Sequence, residues 1–328
     1  VQAQEAFDKI LKSGAYILGP ALKDLEAEFA AYIGTKYALG VGSGTDALIF
    51  ALRALGIKKG DEVIVPSFTF TSTALAVVHV GATPVFADVD EATFDLAASS
   101  VEQALSRKTK AMIPVHLFGQ CADMTALMAL AKRKKLKVVE DACQAHGALW
   151  NKVMAGAFGD IGCFSFYPTK NLGGIGDGGM VTTSSEKLLN KCIQYRNLGK
   201  GIKDPFVHDE IGWTSRLDSI QAAFLSIKLK FLDELNRERR AVAELYHKKL
   251  AATPLALPRE AAGAYHVYHL YVIRVPDGKR DALKAHLAAE GIPSMVHYAT
   301  PVDAQPIMKQ QKTRKVKLPV TERLRQEV

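Results

Sequence analysis

Two charged residues stand where chemistry can be expected. Asp141 ends the apolar run VVED, and Lys170 lies in the glycine-rich loop that follows a second apolar run, IGCFSF. If those runs are parallel strands of an α/β protein, ligands bind outside their carboxyl ends and both side chains face one crevice. A carboxylate can keep a pyridinium nitrogen protonated, and an amine can form a Schiff base. Together these are what pyridoxal phosphate chemistry asks of its protein. Read singly, Lys170 is a loop lysine and Asp141 a helix cap. Two neighbours weaken that reading: Ser165 offers a hydroxyl to a phosphate, and Gln144 can donate to a phenolate oxygen.

A third candidate is Gly42-Ser43-Gly44-Thr45-Asp46, between a strand pattern and a helical one. Free N–H groups and the helix dipole make such a turn an anion site; Ser, Thr and Asp there also serve as ordinary N-caps. Gly174-Ile175-Gly176-Asp177-Gly178-Gly179 matches GxGxxG in form. It precedes a strand, MVTT, in mid-chain, so it is not a dinucleotide site. Its glycines instead let the backbone pass close to Lys170. His266 and His269 in HVYH fall in an expected strand, where residues three apart point to opposite faces, so packing or surface roles are expected of them. No His/Cys/Asp/Glu cluster has metal-ligand spacing.

The elements that must position these residues follow from periodicity. Residues 5–12 and 20–33 read as amphipathic helices. YALGV, DEVIVP, TPVFADV, AMIPVHLF and LKVVEDA read as strands, alternating with helices such as TDALIFALRAL and MTALMALAKRKK. That alternation indicates a largely parallel sheet covered on both faces. CFSF and GGMVTT complete it. Residues 199–213 lack clear periodicity, and loops of that length are usually functional or mobile. SIQAAFLSIKLKFLDELNRERRAVAELYHKKL reads as one long helix bridging two domains. A strand, YHLYVIRV, a helix, RDALKAHLAAEG, and IPSMVHY then suggest a small α/β domain. The expected division is a large domain over residues 1–232 and a small one over 233–328. TERLRQEV ends in a helical pattern, so more C-terminal residues are expected.

Composition agrees with an enzyme. The chain has 328 residues, 48% hydrophobic and 23% charged, enough for about two domains. No apolar run approaches the roughly 20 residues that span a bilayer, and no signal-peptide pattern opens the chain, which starts without Met. Four scattered cysteines fit free thiols in a cytoplasmic protein. Of the net charge of +8, part lies in Lys132-Arg133-Lys134-Lys135, where cations suit a helix C-terminus, and part in residues 309–317. Without interleaved aromatics or a nucleic-acid motif, an anionic small substrate is a better partner than nucleic acid.

In their order and spacing, the segments GSGTDAL, GDEVIVPSFTFTSTA, GATPVFADVD, VVEDACQAHGA, GDIGCFSFYPTKNLGGIGDGGMVTT and SRLDSIQAA resemble the DegT/StrS-type sugar aminotransferases over nearly the whole chain. These are fold-type I enzymes using pyridoxal 5′-phosphate, with a mostly parallel sheet between helices and a smaller C-terminal α/β domain. The resemblance implies that Lys170 joins the cofactor aldehyde and Asp141 pairs with the ring nitrogen. Gly44 and Thr45 would hold the phosphate through backbone amides, with the Ser165 hydroxyl. Phe70 would cover the ring and Gln144 contact its hydroxyl. It also implies transfer of an amino group from glutamate, via pyridoxamine phosphate, to the keto group of a nucleotide-activated sugar. A homodimer would complete each site, residues 197–213 helping to close it. Two departures concern contacts. Thr214 of the partner subunit stands where the family has asparagine on the phosphate. In HYATPVD, His297 and Tyr298 keep the start of a motif near the sugar site, while Asp303 replaces its second histidine. Two alternatives are a sugar dehydratase, which typically has histidine at the lysine position, and a non-catalytic regulator that binds the cofactor.

Overall fold

The computed structural model describes residues 2–204 and 206–328. Its strands are β1 (Tyr37–Val41), β2 (Glu62–Pro66), β3 (Thr83–Ala87), β4 (Thr109–Met112), β5 (Lys137–Asp141), β6 (Leu149–Trp150), β7 (Val153–Met154), β8 (Ile161–Ser165), β9 (Gly179–Thr183), β10 (Ala264–Tyr265) and β11 (Arg314–Lys315). Eight form one sheet in the order β1-β9-β8-β5-β4-β2-β3-β11. Only β9 runs against its neighbours, β1 and β8; the other pairs are parallel. A small antiparallel sheet, β10-β6-β7, lies apart.

Continuous apolar runs become strands buried on both faces, and alternation sends successive side chains to opposite cores. Ile64, Val85 and Val138 join the cluster that includes Leu22, Leu25, Phe29, Leu127 and Leu225. Their neighbours Val63, Val65, Phe86 and Val139 join the other, with Leu48, Phe50, Val77 and Tyr195. The helices therefore flank the sheet as the pattern predicts. Pro20 opens the helix Pro20–Ile33, and Gly34 ends it at φ 84°, a conformation that suits glycine. Phe29 fixes that helix on the sheet, meeting Phe164 and Phe166 edge-to-face at 5.0 and 5.6 Å between centroids. Lys132, Arg133 and Lys134 occupy the last turn of the helix Met124–Lys134, where their charge complements the dipole.

Three elements differ from expectation. The long helix is two, Ser219–Leu229 and Leu232–Leu250, broken at Lys230-Phe231. Leu225, Leu229 and Leu232 all enter the first cluster, at the i, i+4, i+7 spacing of one helical face, so the buried stripe continues across the break. YHLYVIRV is not a continuous strand: Tyr268 has φ 43°, His269 and Leu270 form a bend, and the segment makes no ladder beyond the bridge Ala256↔Arg274. The basic run at 309–317 contributes β11, paired with β3. Arg314 donates to Glu62 at 3.0 Å and Lys315 to Asp303 at 2.9 Å, so part of its charge is spent on internal pairs.

The expected boundary at 232/233 coincides with the start of the helix Leu232–Leu250. Beyond it the chain returns to the large sheet: Val302, Met308 and Leu318 enter the second cluster, while Leu324 and Val328 pack near Phe68. Among the described residues, no helix is long and apolar enough to cross a membrane.

Phe29 is fully buried, so Phe29→Ala should cost about 3–5 kcal/mol. A lowered urea midpoint would show it; an unchanged midpoint would mean that the helix is not anchored by that ring.

Candidate active site

The strand ends supply the site. β5 finishes at Asp141, β8 at Ser165, and the turns after β1 and β2 carry Gly44 and Phe70. All border one cavity of about 590 Å³, within the common range for cofactor and substrate sites. Gly44, Thr45, Phe70, Asp141, Gln144, Ser165, Lys170, His297 and Tyr298 all line it. Thr214 does not. It is exposed, and its backbone bridges to Asn197.

Asp141 is 6% exposed. Its Oδ2 accepts from Thr73 Oγ1 at 2.8 Å, and its Oδ1 from the Cys143 amide at 3.3 Å. The carboxylate is thus held from two sides and still reaches the cavity. Lys170 follows β8, its amide donating to Tyr167 O at 2.9 Å. GGIGDGG leads into β9 rather than a helix, so the rejected fingerprint is structurally a strand approach.

The helix Gly44–Ala54 points its N-terminus into the cavity. Ser43 caps it by accepting from the Asp46 amide at 3.1 Å. Thr45 Oγ1 donates to Ser72 Oγ at 3.0 Å. A Cβ on Gly44 would come within 2.8 Å of both Cys143 Sγ and Ser165 Cβ. Glycine is needed because the turn touches the ends of β5 and β8.

Gln144 Oε1 accepts from the Phe118 amide at 2.8 Å, which fixes the amide so that Nε2 donates to Tyr298 Oη at 3.2 Å. Burial raises the Tyr298 phenol to about 12, so it stays protonated. Its ring stacks on Phe118 at 6.3 Å and tilts towards Phe70 at 6.4 Å. Half-buried His297 lies below the usual histidine range, chiefly through burial. Asp303 is a brace. Its Oδ1 accepts from Ser67 Oγ at 2.5 Å and its Oδ2 from Lys315 Nζ at 2.9 Å, tying the His297 segment to the turn after β2.

With this geometry in place, the comparisons decide the family. A profile of the DegT/DnrJ/EryC1/StrS aminotransferase family matches residues 1–328. The chain belongs to that family. It is 46% identical over 320 residues to the UDP-N-acetyl-3-dehydro-α-D-glucosamine 3-aminotransferase of Acidithiobacillus ferrooxidans, covering 98% of this chain and 85% of the relative. It is 44% identical over 329 residues to a protein of Geobacillus stearothermophilus named pleiotropic regulatory protein, covering 99% and 87%. Among solved structures, S. venezuelae DesV in complex with a ketimine intermediate superposes with a TM-score of 0.94 at 44% identity, covering 99% of this chain and 87% of that one. The expected fold class, a fold-type I architecture, is thereby confirmed.

Both His266 and His269 are buried, as a packing role expects, but they do not lie on opposite faces of a strand. There is no strand there: His266 Nδ1 accepts from the Tyr268 amide at 2.9 Å, while His269 borders the cavity. Nothing in local spacing signals this, because Gly119 and Asn171, distant in sequence, hold the segment. A wider groove of about 760 Å³ beside Arg237 and Arg240 contains none of the candidate residues.

Three buried histidines make stability depend on pH. Burial lowers His146 and His266 to about 3, and His269 also lies well below its ordinary value. Unfolding restores ordinary values near 6.5, so between roughly pH 6.5 and 3 the unfolded chain binds more protons. Their contribution is complete above that window and lost as pH falls through it, by up to about 1.4 kcal/mol per pH unit per group. Urea midpoints should therefore decline steadily from pH 6.5 to 4. His146→Phe should make the decline shallower; an identical slope would exclude His146 as a contributor.

Proposed function

We propose that this chain is a pyridoxal phosphate-dependent aminotransferase that moves an amino group from glutamate to the keto carbon of a nucleotide-activated sugar. The observation that carries the reaction class is the convergence of Lys170, Asp141 and the N-terminus of the helix Gly44–Ala54 on one cavity. Relatives named as nucleotide-sugar aminotransferases support the substrate class.

The residues present fit that cofactor. Gly44 and Thr45 head a helix whose first N–H groups have no intrahelical acceptor, and the Ser165 hydroxyl lies at the same cavity wall, a donor set suited to a phosphate. The required glycine at 44 keeps this cradle free of a Cβ. Asp141 would hold a proton on the ring nitrogen, Gln144 Nε2 would turn from Tyr298 to the ring hydroxyl, and Phe70 would cover a ring face. When bound, pyridoxal phosphate supplies an aldehyde carbon that receives the amino group and a conjugated ring that spreads negative charge. Lys170 would be the amine that joins the aldehyde and, once released, would carry a proton at Nζ between substrate carbon and cofactor carbon. Thr73 and the Cys143 amide keep the Asp141 carboxylate aligned throughout. His297 and Tyr298 face the same cavity and would meet the sugar.

Thr214 of the partner subunit would add a donor to the phosphate in a homodimer, with residues 197–213 closing the interface. Several exposed apolar side chains in that loop, Phe206 at 92% and Ile211 at 75%, suit such burial. The regulatory name of one relative keeps a non-catalytic reading in view.

One experiment separates the readings. Protein loaded with pyridoxal phosphate should be yellow, and glutamate alone should bleach the band. A dehydratase or a silent binder need not respond. Lys170→Ala should lower turnover at least about 10³-fold, and ordinary steady-state activity in that variant would refute the assignment. A coupled glutamate assay across nucleotide keto-sugars would identify the acceptor.

A further inference from the structure

The imidazole of His269 forms part of the cavity wall but takes no part in the function proposed above. Its surroundings decide which ring nitrogen carries hydrogen. Asn171, the residue after Lys170, is buried, and its Nδ2 donates to Asn236 Oδ1 at 2.8 Å and to Val267 O at 3.0 Å. Asn236 Nδ2 donates in turn to His146 O at 2.9 Å, which fixes the orientation of that amide as well. Both hydrogens of the Asn171 amide are used, so its Oδ1 can only accept. The 3.2 Å contact between His269 Nδ1 and Asn171 Oδ1 is therefore donated by the ring.

His269 is thus the Nδ1–H tautomer, and Nε2 carries a lone pair. Nε2 has no hydrogen-bond partner among the described residues, and it is not one of the buried atoms left unsatisfied. The cavity is where it can find one. Burial first, then the charge of Lys170 and the nearby His146, Arg239 and His297, disfavours the imidazolium. A ring that resists protonation can accept a hydrogen bond at neutral pH but is a poor place to store a proton.

We propose that His269 presents Nε2 to the cavity as the hydrogen-bond acceptor for an amine N–H, orienting that amine for exchange. The donor is either Lys170 Nζ or the nitrogen of the incoming amino acid. This rests on the aminotransferase reading for its reaction, but the tautomer follows from the Asn171–Asn236 chain alone. Because Asn171 is adjacent to Lys170 and Asn236 lies on the helix Leu232–Leu250, the same chain fixes the acceptor relative to the lysine.

The test uses long-range ¹H–¹⁵N spectra of ¹⁵N-histidine-labelled holoenzyme, with His269 assigned by its loss in His269→Gln. One protonated and one unprotonated ring nitrogen are expected, with hydrogen on Nδ1. In native protein the Nε2 resonance should respond to glutamate. If glutamate, which releases Lys170, moves that resonance in native protein but not in Lys170→Ala, the lysine is the donor; if glutamate moves it in that variant as well, the amino acid is. Hydrogen on Nε2, a doubly protonated ring, or a native Nε2 resonance indifferent to glutamate would overturn the proposal. Kinetically, His269→Phe should raise KM for glutamate or slow bleaching about tenfold, with His269→Gln, which keeps an acceptor, recovering much of the loss. Normal bleaching in His269→Phe defeats this inference alone, whereas no bleaching in native protein defeats the aminotransferase reading and leaves the tautomer to the spectra.

Discussion

The end of β5 is the point on which the site depends. Asp141 turns its carboxylate to the cavity, where Thr73 and the Cys143 amide hold it. Its backbone amide donates to Pro114 O at 2.9 Å, and its carbonyl accepts from the His116 amide at 3.0 Å. One residue earlier, Glu140 is wholly buried, accepting from the amides of Gly156, Phe158 and Gly159 and pairing with His116 Nε2 at 2.9 Å. His116 Nδ1 accepts from the Ala122 amide, so Nε2 carries the hydrogen that bonds Glu140. A buried carboxylate is tolerable only when its lone pairs are filled. Filling them ties two separate segments, residues 156–159 and the turn at His116, to the strand that aims Asp141.

Around that fixed end the other parts arrive by close contact. The turn at Gly44 can reach β5 and β8 only without a side chain. The Phe70 turn and the His297 segment are linked through Ser67, Asp303 and Lys315. Asn171 joins the Lys170 loop to Asn236 and Val267. These connections, one a close backbone approach and the others polar contacts, shape the cavity before any ligand enters. Such preorganisation reduces the ordering cost of binding.

Much of this was legible in the linear chain because the controlling physics is local. Pro20, Gly34, Ser43 and the alternation of EVIVP and TPVFA determine element type through backbone sterics, capping and strand period. Asp141, Ser165 and Lys170 could be placed at one crevice because parallel strands bring their carboxyl ends together. The break at Lys230-Phe231 was not legible, since each half is helical by pattern and the buried positions keep helical spacing across it. The bend in YHLYVIRV at His269 and Leu270 was not legible either, since the pattern there is that of a strand.

By itself, the sequence determined the helix–strand alternation, the candidate residues that meet at one cavity and the family to which the chain belongs. The tertiary structure decided which distant side chains complete one another: Asp303 as a brace, Gln144 turned by Phe118, and His269 at the cavity wall with its tautomer set by Asn171. Propensity, capping and alternation act over a few residues, so they can be read in order along a chain. Hydrogen-bond satisfaction and close packing act between residues far apart in the chain, 68 positions for Asp141 with Thr73 and 236 for Ser67 with Asp303, and only the folded chain brings them together.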